Sequence, residues 1–481
     1  MPPVSDSQTT RPAAPADRQA DLIVEGAYVV TLDPDRPVIV DGSVAVVGEA
    51  IAAVGSASDV AAAYPRAAQR IDASGCLLMP GLIDTHTHLF QVLGRGLGDG
   101  LELMSWLRDF MFPMTLHMTS SDAAAAVRLS ALMAVLAGTT AVVDNHYAPT
   151  DTATTLAVVE AVESAGLRGA IARGIFGSRV EGSDRMGVPD ELHAYTAAEE
   201  LEITGECIQE RPAGSRVEVW PMPENVVYVD RDLIAACAHL AAEHDLRWQA
   251  HCSEAQEEVV IFSDIHGERP VEWLSRAGLL GPRATLAHAI WLDDGEVAAM
   301  GAAGACGLHL PVCNQVVSSG VMRLRELVDA GATVGLGTDG LAVSGQSMFE
   351  AMKSAYSLHR LSRMDPTWPP SEALLELVCR HGARVLGRPA GVLTDGALAD
   401  MVVVDTQTPR FVPGHRPVAT LTLLGHGCDV RDVIVGGEVV VRRGQSTLLD
   451  HAEVMATAAE AAERLAGAAG LQPLRAAWID R

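Results

Sequence analysis

Leu78-Met79-Pro80-Gly81-Leu82-Ile83-Asp84-Thr85-His86-Thr87-His88-Leu89-Phe90-Gln91 is the stretch on which the reading of this chain turns. An apolar run long enough for a buried strand passes through Pro80-Gly81 into two histidines one residue apart, and in extended chain residues i and i+2 share a face. Both imidazoles can therefore meet one cation. Neutral imidazole is a common nitrogen ligand of Zn²⁺ and Fe²⁺, so His-x-His at a strand end suits a catalytic metal. Taken alone the pair fits a structural role equally well. The residues downstream decide.

Working outward, 481 residues exceed one ordinary domain and leave ample capacity for a core. Hydrophobic residues make up 48% and charged ones 20%, a globular balance. The formal charge of −26 repels phosphate backbones and anionic lipid, which argues against nucleic acid and membrane partners. Eight cysteines lie scattered with no Cys-x-x-Cys pair, so a reduced, cytoplasmic protein is expected. No apolar run approaches the ~20 residues of a membrane span. Lys353 is the only lysine.

Residues 1–20, rich in Pro, Ala, Ser and Thr, read as a disordered leader. Short β-like pieces follow over 21–75, among them Tyr28 to Leu32 and Val44 to Val47, and a matching set fills 390–446, with Gly436-Gly437 as a hairpin turn. These two flanks predict one satellite β-sandwich built from N- and C-terminal segments. Between them, 76–389 alternates helix and strand: a helix capped by Ser121 or Asp122 and ending at Gly138, then the strand Thr140 to Asp144; a helix over 232–243, then Leu246 to His251; a helix over 322–330, then Thr333 to Asp339. That repeat predicts an α/β fold with a parallel sheet, and over this length a closed (β/α)₈ TIM barrel, an open doubly wound sheet being the alternative. The tail 447–481 reads as a docked helix.

Catalytic groups of such a barrel sit at the C-terminal ends of its strands. One strand ends in His86 and His88, a later one in His251 followed by Glu254, the next in His288, the last in Asp339. Three histidines and a carboxylate form an N/O set with room for a water. Gly340 to Ser347 has P-loop glycine spacing, but Gln346 stands where a phosphate-gripping lysine would be. His193, His239, His244, His266, His359 and His381 fall in loops or on solvated helix faces by their spacing.

With those residues assembled the chain resembles the amidohydrolase superfamily, in particular its aminohydrolase branch of guanine, cytosine, adenosine-type and s-triazine deaminases and chlorohydrolases. The resemblance runs from Asp21 to Gly444 and rests on Pro80 to His88, His251-Cys-Ser-Glu254, Ala287-His288, His309-Leu-Pro-Val-Cys-Asn314, Gly335-Leu-Gly-Thr-Asp339-Gly340 and Gly396-Ala-Leu-Ala-Asp400, in the family's order. It implies one divalent metal, Zn²⁺ or alternatively Fe²⁺, held by His86, His88, His251 and Asp339. Relatives with two metals bridge them through a carboxylated lysine; the sole lysine lies beyond the last barrel strand, so a mononuclear site follows.

The resemblance further implies hydrolytic deamination at a C=N carbon of a small heterocycle. Glu254 donates a proton to the ring nitrogen and carries one to the leaving ammonia, Asp339 accepts the proton of the water, and His288 stabilises the tetrahedral intermediate. Gln91 matches a glutamine used against the ring, and Trp106 lies where relatives wall their pockets. Further candidates for substrate contact are His146 after the second strand, Arg173 at the end of the third, which pairs either with an anionic substituent or with a structural carboxylate, and Asn314, which also fits a supporting place behind the ligands. Glu224 and Asn225 follow the fourth strand, and His309 is a minor candidate on the metal side. Same-site alternatives are hydrolysis of a cyclic amide, a formyl group or a C–Cl bond; a different class is a non-catalytic scaffold, from which at least one ligand should be missing. Family resemblance suggests a homodimer or larger.

Overall fold

The computed structural model describes residues 18–471 and 474. Residues 1–17 of the expected leader lie outside the described residues, as do 472, 473 and 475–481 of the tail. Gln19 and Ala20, read from composition as leader, are strand: their backbones pair with Arg66 and Ala67. Ala20 is fully buried there, which composition averaged over a window cannot reveal.

The chain opens with β1 (Gln19–Val30), β2 (Val38–Val47), β3 (Ala50–Ser56), β4 (Arg66–Asp72) and β5 (Cys76–Pro80). Gly81 then lets it turn tightly into the next strand: a Cβ at this position would lie 2.0 Å from Thr140 Oγ1. From here strands run parallel: β6 (Leu82–His88), β7 (Thr139–His146), β8 (Arg168–Ile175), β9 (Val217–Pro223), β10 (Trp248–Cys252), β11 (Ala284–His288), β12 (Cys306–His309), β13 (Thr333–Leu336) and the short β14 (Asp339–Gly340). They form two parallel sheets, β14-β6-β7-β8-β9 and β10-β11-β12-β13. The sheets meet where Asn225, just past β9, bridges His251, and where Thr85 Oγ1 donates to Leu336 O at 2.8 Å. Every residue of β6, β7, β8, β10, β11 and β12 is buried. Helices cover the outer faces, so these strands carry near-continuous apolar runs in place of alternation.

Helix starts follow cap chemistry more closely than apolar spacing. The helix Ser120–Leu136 is capped by Thr119, not by Ser121 or Asp122; Asp122 completes the capping box from the third position. Asp230 caps Arg231–Glu243. The helix expected over 322–330 is shorter, Leu324–Asp329, with Met322 buried outside it.

β15 (Met401–Asp405), β16 (Val430–Val435), β17 (Glu438–Arg442) and β18 (Gln445–Ser446) return the chain to its beginning. They join β1 to β5 in one nine-stranded sheet, in which β15 pairs antiparallel with β5 and β16 turns into β17 at Gly436-Gly437. Successive residues of β15 serve two cores. Val402 and Val404 pack toward the parallel sheets, whereas Met401 and Val403 face Val24, Val44 and Ile51 in a smaller core. The helix His451–Ala468, capped by Asp450, buries Val454, Ala458 and Leu465, and its Arg464 pairs with Asp122. Among the described residues no helix is long and apolar enough to cross a membrane.

Candidate metal centre

Four strand ends converge. Alternation along β6 puts His86 and His88 on one face; β10 ends at His251, β11 at His288, and the turn after β13 delivers Asp339. That turn is tied to β6 by the fully buried Asp84, which accepts from Thr338 N at 3.1 Å, Thr338 Oγ1 at 2.6 Å and Gln346 Nε2 at 3.0 Å. Gln346, at the lysine position of the apparent P-loop, is thus a brace for the site. Ser253, His288, Ala289 and Asp339 all take positive φ. Non-glycine residues there cost of order 1–3 kcal/mol each, strain that the surrounding packing holds in place.

Each imidazole is anchored from behind through Nδ1: His86 to Gln249 Oε1 at 2.6 Å, His88 to Asn145 O at 3.0 Å, His251 to Glu224 O at 2.7 Å and His288 to Asn314 Oδ1 at 2.9 Å. A carbonyl oxygen can only accept, so Nδ1 carries the proton and the neutral ring turns an Nε2 lone pair inward. The buried Nε2 of His86 makes no hydrogen bond and looks onto Asp339 Oδ1 at 3.4 Å; His88 Nε2 lies 3.2 Å from the same oxygen. His86, His251, His288 and Asp339 each offer an atom within 4.8 Å of one another. Tetrahedral ligands about 2.0–2.2 Å from a common zinc ion stand about 3.3–3.6 Å apart, so the group draws in slightly around a cation. His88 lies outside that tightest set but shares Asp339 Oδ1 with His86, so five inward-facing groups compete for four ligand positions.

The electrostatics favour the ligand forms. Burial, reinforced by His86 and His288, holds the His251 imidazole well below its usual range, and burial pushes His288 down to about 4. Burial alone would raise Asp339, but the surrounding imidazoles outweigh it and hold the carboxyl well below its ordinary value. Glu254 is the opposite case. Burial, with the Glu258 and Asp339 charges beside it, pushes its carboxyl well above the usual range. Its Oε2 lies 3.3 Å from His288 Nε2, and its Oε1 accepts from Ser319 Oγ at 3.0 Å.

These groups open onto a cavity of about 650 Å³ including its mouth. Gln91 and Trp106 line it, as do His88, His251, Glu254, His288 and Asp339. Three of the expected substrate contacts do not. Arg173 points outward, because Gly174 occupies the inward position on β8, and its guanidinium pairs with the buried Glu200 at 2.8 Å and with Thr204. His146 follows the inward-facing Asn145 on β7, so it turns to the other face and packs against the Phe90 ring. Asn314 meets His288 behind the cluster. His309 is not on the metal side either: its Nε2 bonds His359 Nε2 at 2.9 Å. That contact also corrects His359, which is buried and not on a solvated face.

Sequence reasoning passed over Tyr147, Phe176, Tyr228, Glu258 and Ser319. Glu224 and Asn225, which follow β9, line the cavity, and burial lifts the Glu224 carboxyl to about 8. The lining otherwise runs to apolar side chains, including Leu103, Met104, Leu107, Phe112 and Met186.

The profile of the amidohydrolase family matches residues 77–440. A 5-methylthioadenosine/S-adenosylhomocysteine deaminase of Nitratidesulfovibrio vulgaris is 34% identical over 442 residues, 91% of this chain and 96% of the relative. A 5'-deoxyadenosine deaminase of Methanothermobacter thermautotrophicus is 34% identical over 398 residues, 82% of this chain and 89% of its own. Among solved structures, an adenosine deaminase from Xanthomonas campestris with bound zinc superposes with a TM-score of 0.85 at 25% identity, covering 94% of this chain and 99% of that one. An atrazine chlorohydrolase from Arthrobacter aurescens TC1 complexed with zinc gives 0.83 at 27% identity, covering 92% of this chain and 100% of that one.

Proposed function

The chain belongs to the amidohydrolase family, and from that premise we propose that it is a mononuclear, zinc-dependent deaminase of a small, neutral N-heterocycle bearing an apolar substituent. We read its two parallel sheets as one closed (β/α)₈ barrel and the nine-stranded sheet as its satellite. One observation carries the reading: inward Nε2 atoms and the Asp339 carboxyl share a buried point beside the buried Glu254 carboxyl. His86, His88, His251 and Asp339 hold the cation, since His86 and His88 flank one Asp339 oxygen while His288 is engaged with Glu254. Zinc is favoured by the two zinc-bearing structural neighbours. A second bridged metal has no lysine to hold it, because Lys353 lies against His426.

When bound, a divalent cation supplies a hydrolytic nucleophile at neutral pH by drawing the pKa of water from about 15.7 toward about 7. The protein's own groups do the rest. Gln91 and Trp106 set the heterocycle against the cluster. As water adds across C=N, Glu254 gives its proton to the ring nitrogen, and Asp339 takes up the proton the water loses. His288, its Nδ1 proton engaged by Asn314, turns its Nε2 lone pair to the tetrahedral intermediate and orients it by accepting from its hydroxyl group. Glu254, left as the carboxylate, takes the hydroxyl proton of the intermediate and passes it to the amino group. That group leaves as ammonia as the carbonyl forms, and the proton held by Asp339 returns Glu254 to its starting state. The apolar wall suits neutral substrates, because burial raises three of the four carboxyl groups on the lining, Glu224 to about 8, Glu258 to about 7 and Glu254 well above the usual range, and only Asp339 is held as the anion. Of the substrates named for the relatives, 5'-deoxyadenosine and methylthioadenosine have this character, whereas S-adenosylhomocysteine carries a zwitterionic tail.

Ammonia release from a panel of 5'-deoxyadenosine, methylthioadenosine, guanine, cytosine and aminotriazines tests the proposal. We expect turnover of at least one, abolished by a chelator and restored by Zn²⁺; no ammonia from any would contradict it. The likeness to a chlorohydrolase supports a second reading, C–Cl hydrolysis in the same site, which chloride release from a chlorotriazine in the same panel would reveal.

A further inference from the structure

We propose that Ser319 is a positioning residue for the deamination, and that the turn from Asn314 to Ser319 holds both Glu254 and His288 in register with the substrate; this rests on Glu254 being the proton carrier. The turn lies at the end of the short helix Pro311–Val316 and is closed on itself by Ser319 N donating to Asn314 O at 3.0 Å. From its first residue, Asn314 Oδ1 accepts from His288 Nδ1 at 2.9 Å. From its last, Ser319 Oγ donates to Glu254 Oε1 at 3.0 Å. One closed turn therefore fixes, from behind, two side chains carried by different strands.

Its outer side is pinned as well. Trp291 Nε1 donates to Ser319 O at 2.8 Å, across the turn from the hydroxyl that reaches Glu254. Gly320 follows at φ +132, where an added Cβ would lie 3.0 Å from Ile290 and 3.4 Å from the indole nitrogen. Only glycine lets the chain pass this close beneath the tryptophan. The indole and the glycine together set where the Ser319 hydroxyl stands.

The consequence is chemical. A carboxyl group can offer either oxygen, and rotation about its last bond exchanges them. With Oε1 committed to Ser319, Oε2 is left on the side of His288 Nε2, 3.3 Å away, and it is the oxygen that carries the mobile proton between ring nitrogen and leaving amine. Loss of the hydroxyl frees the carboxyl to turn, so proton transfer suffers while the binding walls stay as they are.

The test is a double-mutant cycle on Ser319→Ala and Glu254→Gln, measured with whichever panel substrate is turned over best. A hydrogen bond to a group of this kind is worth about 10- to 100-fold in rate, so Ser319→Ala should lower kcat by that factor, with KM and zinc content unchanged. Ser319→Thr, which keeps the hydroxyl, should recover most of the rate. In a Glu254→Gln background Ser319→Ala should add nothing, because the two changes strike the same step. Undiminished kcat in Ser319→Ala, or an equal loss in both backgrounds, would overturn the inference while leaving Glu254 in its role. Wild-type kcat in Glu254→Gln, or no turnover of any panel member, would remove the proton-carrier reading and this inference with it.

Discussion

Two buried pairs of histidines end up in opposite states. His86 and His88, on β6, are tethered through Nδ1 and present Nε2 to a shared carboxylate. His309, at the end of β12, and His359, on the helix Met348–Arg363, spend their Nε2 atoms on each other at 2.9 Å. Burial is alike, and His309 also sits at a strand end. What separates a ligand from a packing residue here is the partner of Nε2: in His86 and His88 it faces a shared carboxylate, whereas in His309 and His359 it is taken by the other ring and is not offered to the cluster.

Substitutions can break this contrast or sharpen it. The largest effect should come from Glu254→Gln, which leaves the metal cluster intact and removes the mobile proton; we expect kcat to fall by about 10²- to 10⁴-fold with one zinc per chain retained, measured by ammonia release and metal analysis. Gln249→Leu takes away the acceptor behind His86 and should weaken zinc about 10- to 100-fold in a chelator competition, while kcat at saturating zinc changes far less. His359→Leu strands the Nε2 of His309 and should cost about 1–3 kcal/mol of stability in denaturant unfolding, without change in zinc content.

The smallest effect is a pH dependence confined to the second pair. Burial, aided by Arg363 and opposed by Glu326, pushes His359 down to about 4. Its folded pKa is depressed relative to about 6.5 in the unfolded chain, so between those values the unfolded state binds the extra proton. The neutral pair therefore contributes fully above about pH 6.5 and loses ground as pH falls toward about 4. The melting temperature of the wild type should drop more steeply over that interval than that of His359→Leu.

How legible all this was in the sequence depended on whether a role needed only a strand end or also a face. The metal-side groups were legible because His-x-His needs no knowledge of register: both residues share a face whichever way the strand is turned. Arg173 and His146 depended on strand parity, and a slip of one residue sends a side chain from cavity to helix layer. His359 was within reach, since Met348, Met352, Ala355 and His359 fall at helical spacing and form a buried stripe. Ser319 was not: its role comes from a turn folding back across two strands, and no local periodicity reports that.

The central claim is that His86, His88, His251 and Asp339 share one cation and that His288 stands beside it. Anomalous diffraction at the zinc edge, from crystals of the protein purified without chelator, tests this most directly. We predict a single peak about 2.0–2.2 Å from the Nε2 atoms of His86, His88 and His251 and from an Asp339 oxygen, with His288 beyond bonding distance. A peak bonded to His288 in place of His88, or no peak after zinc is supplied, would contradict the account.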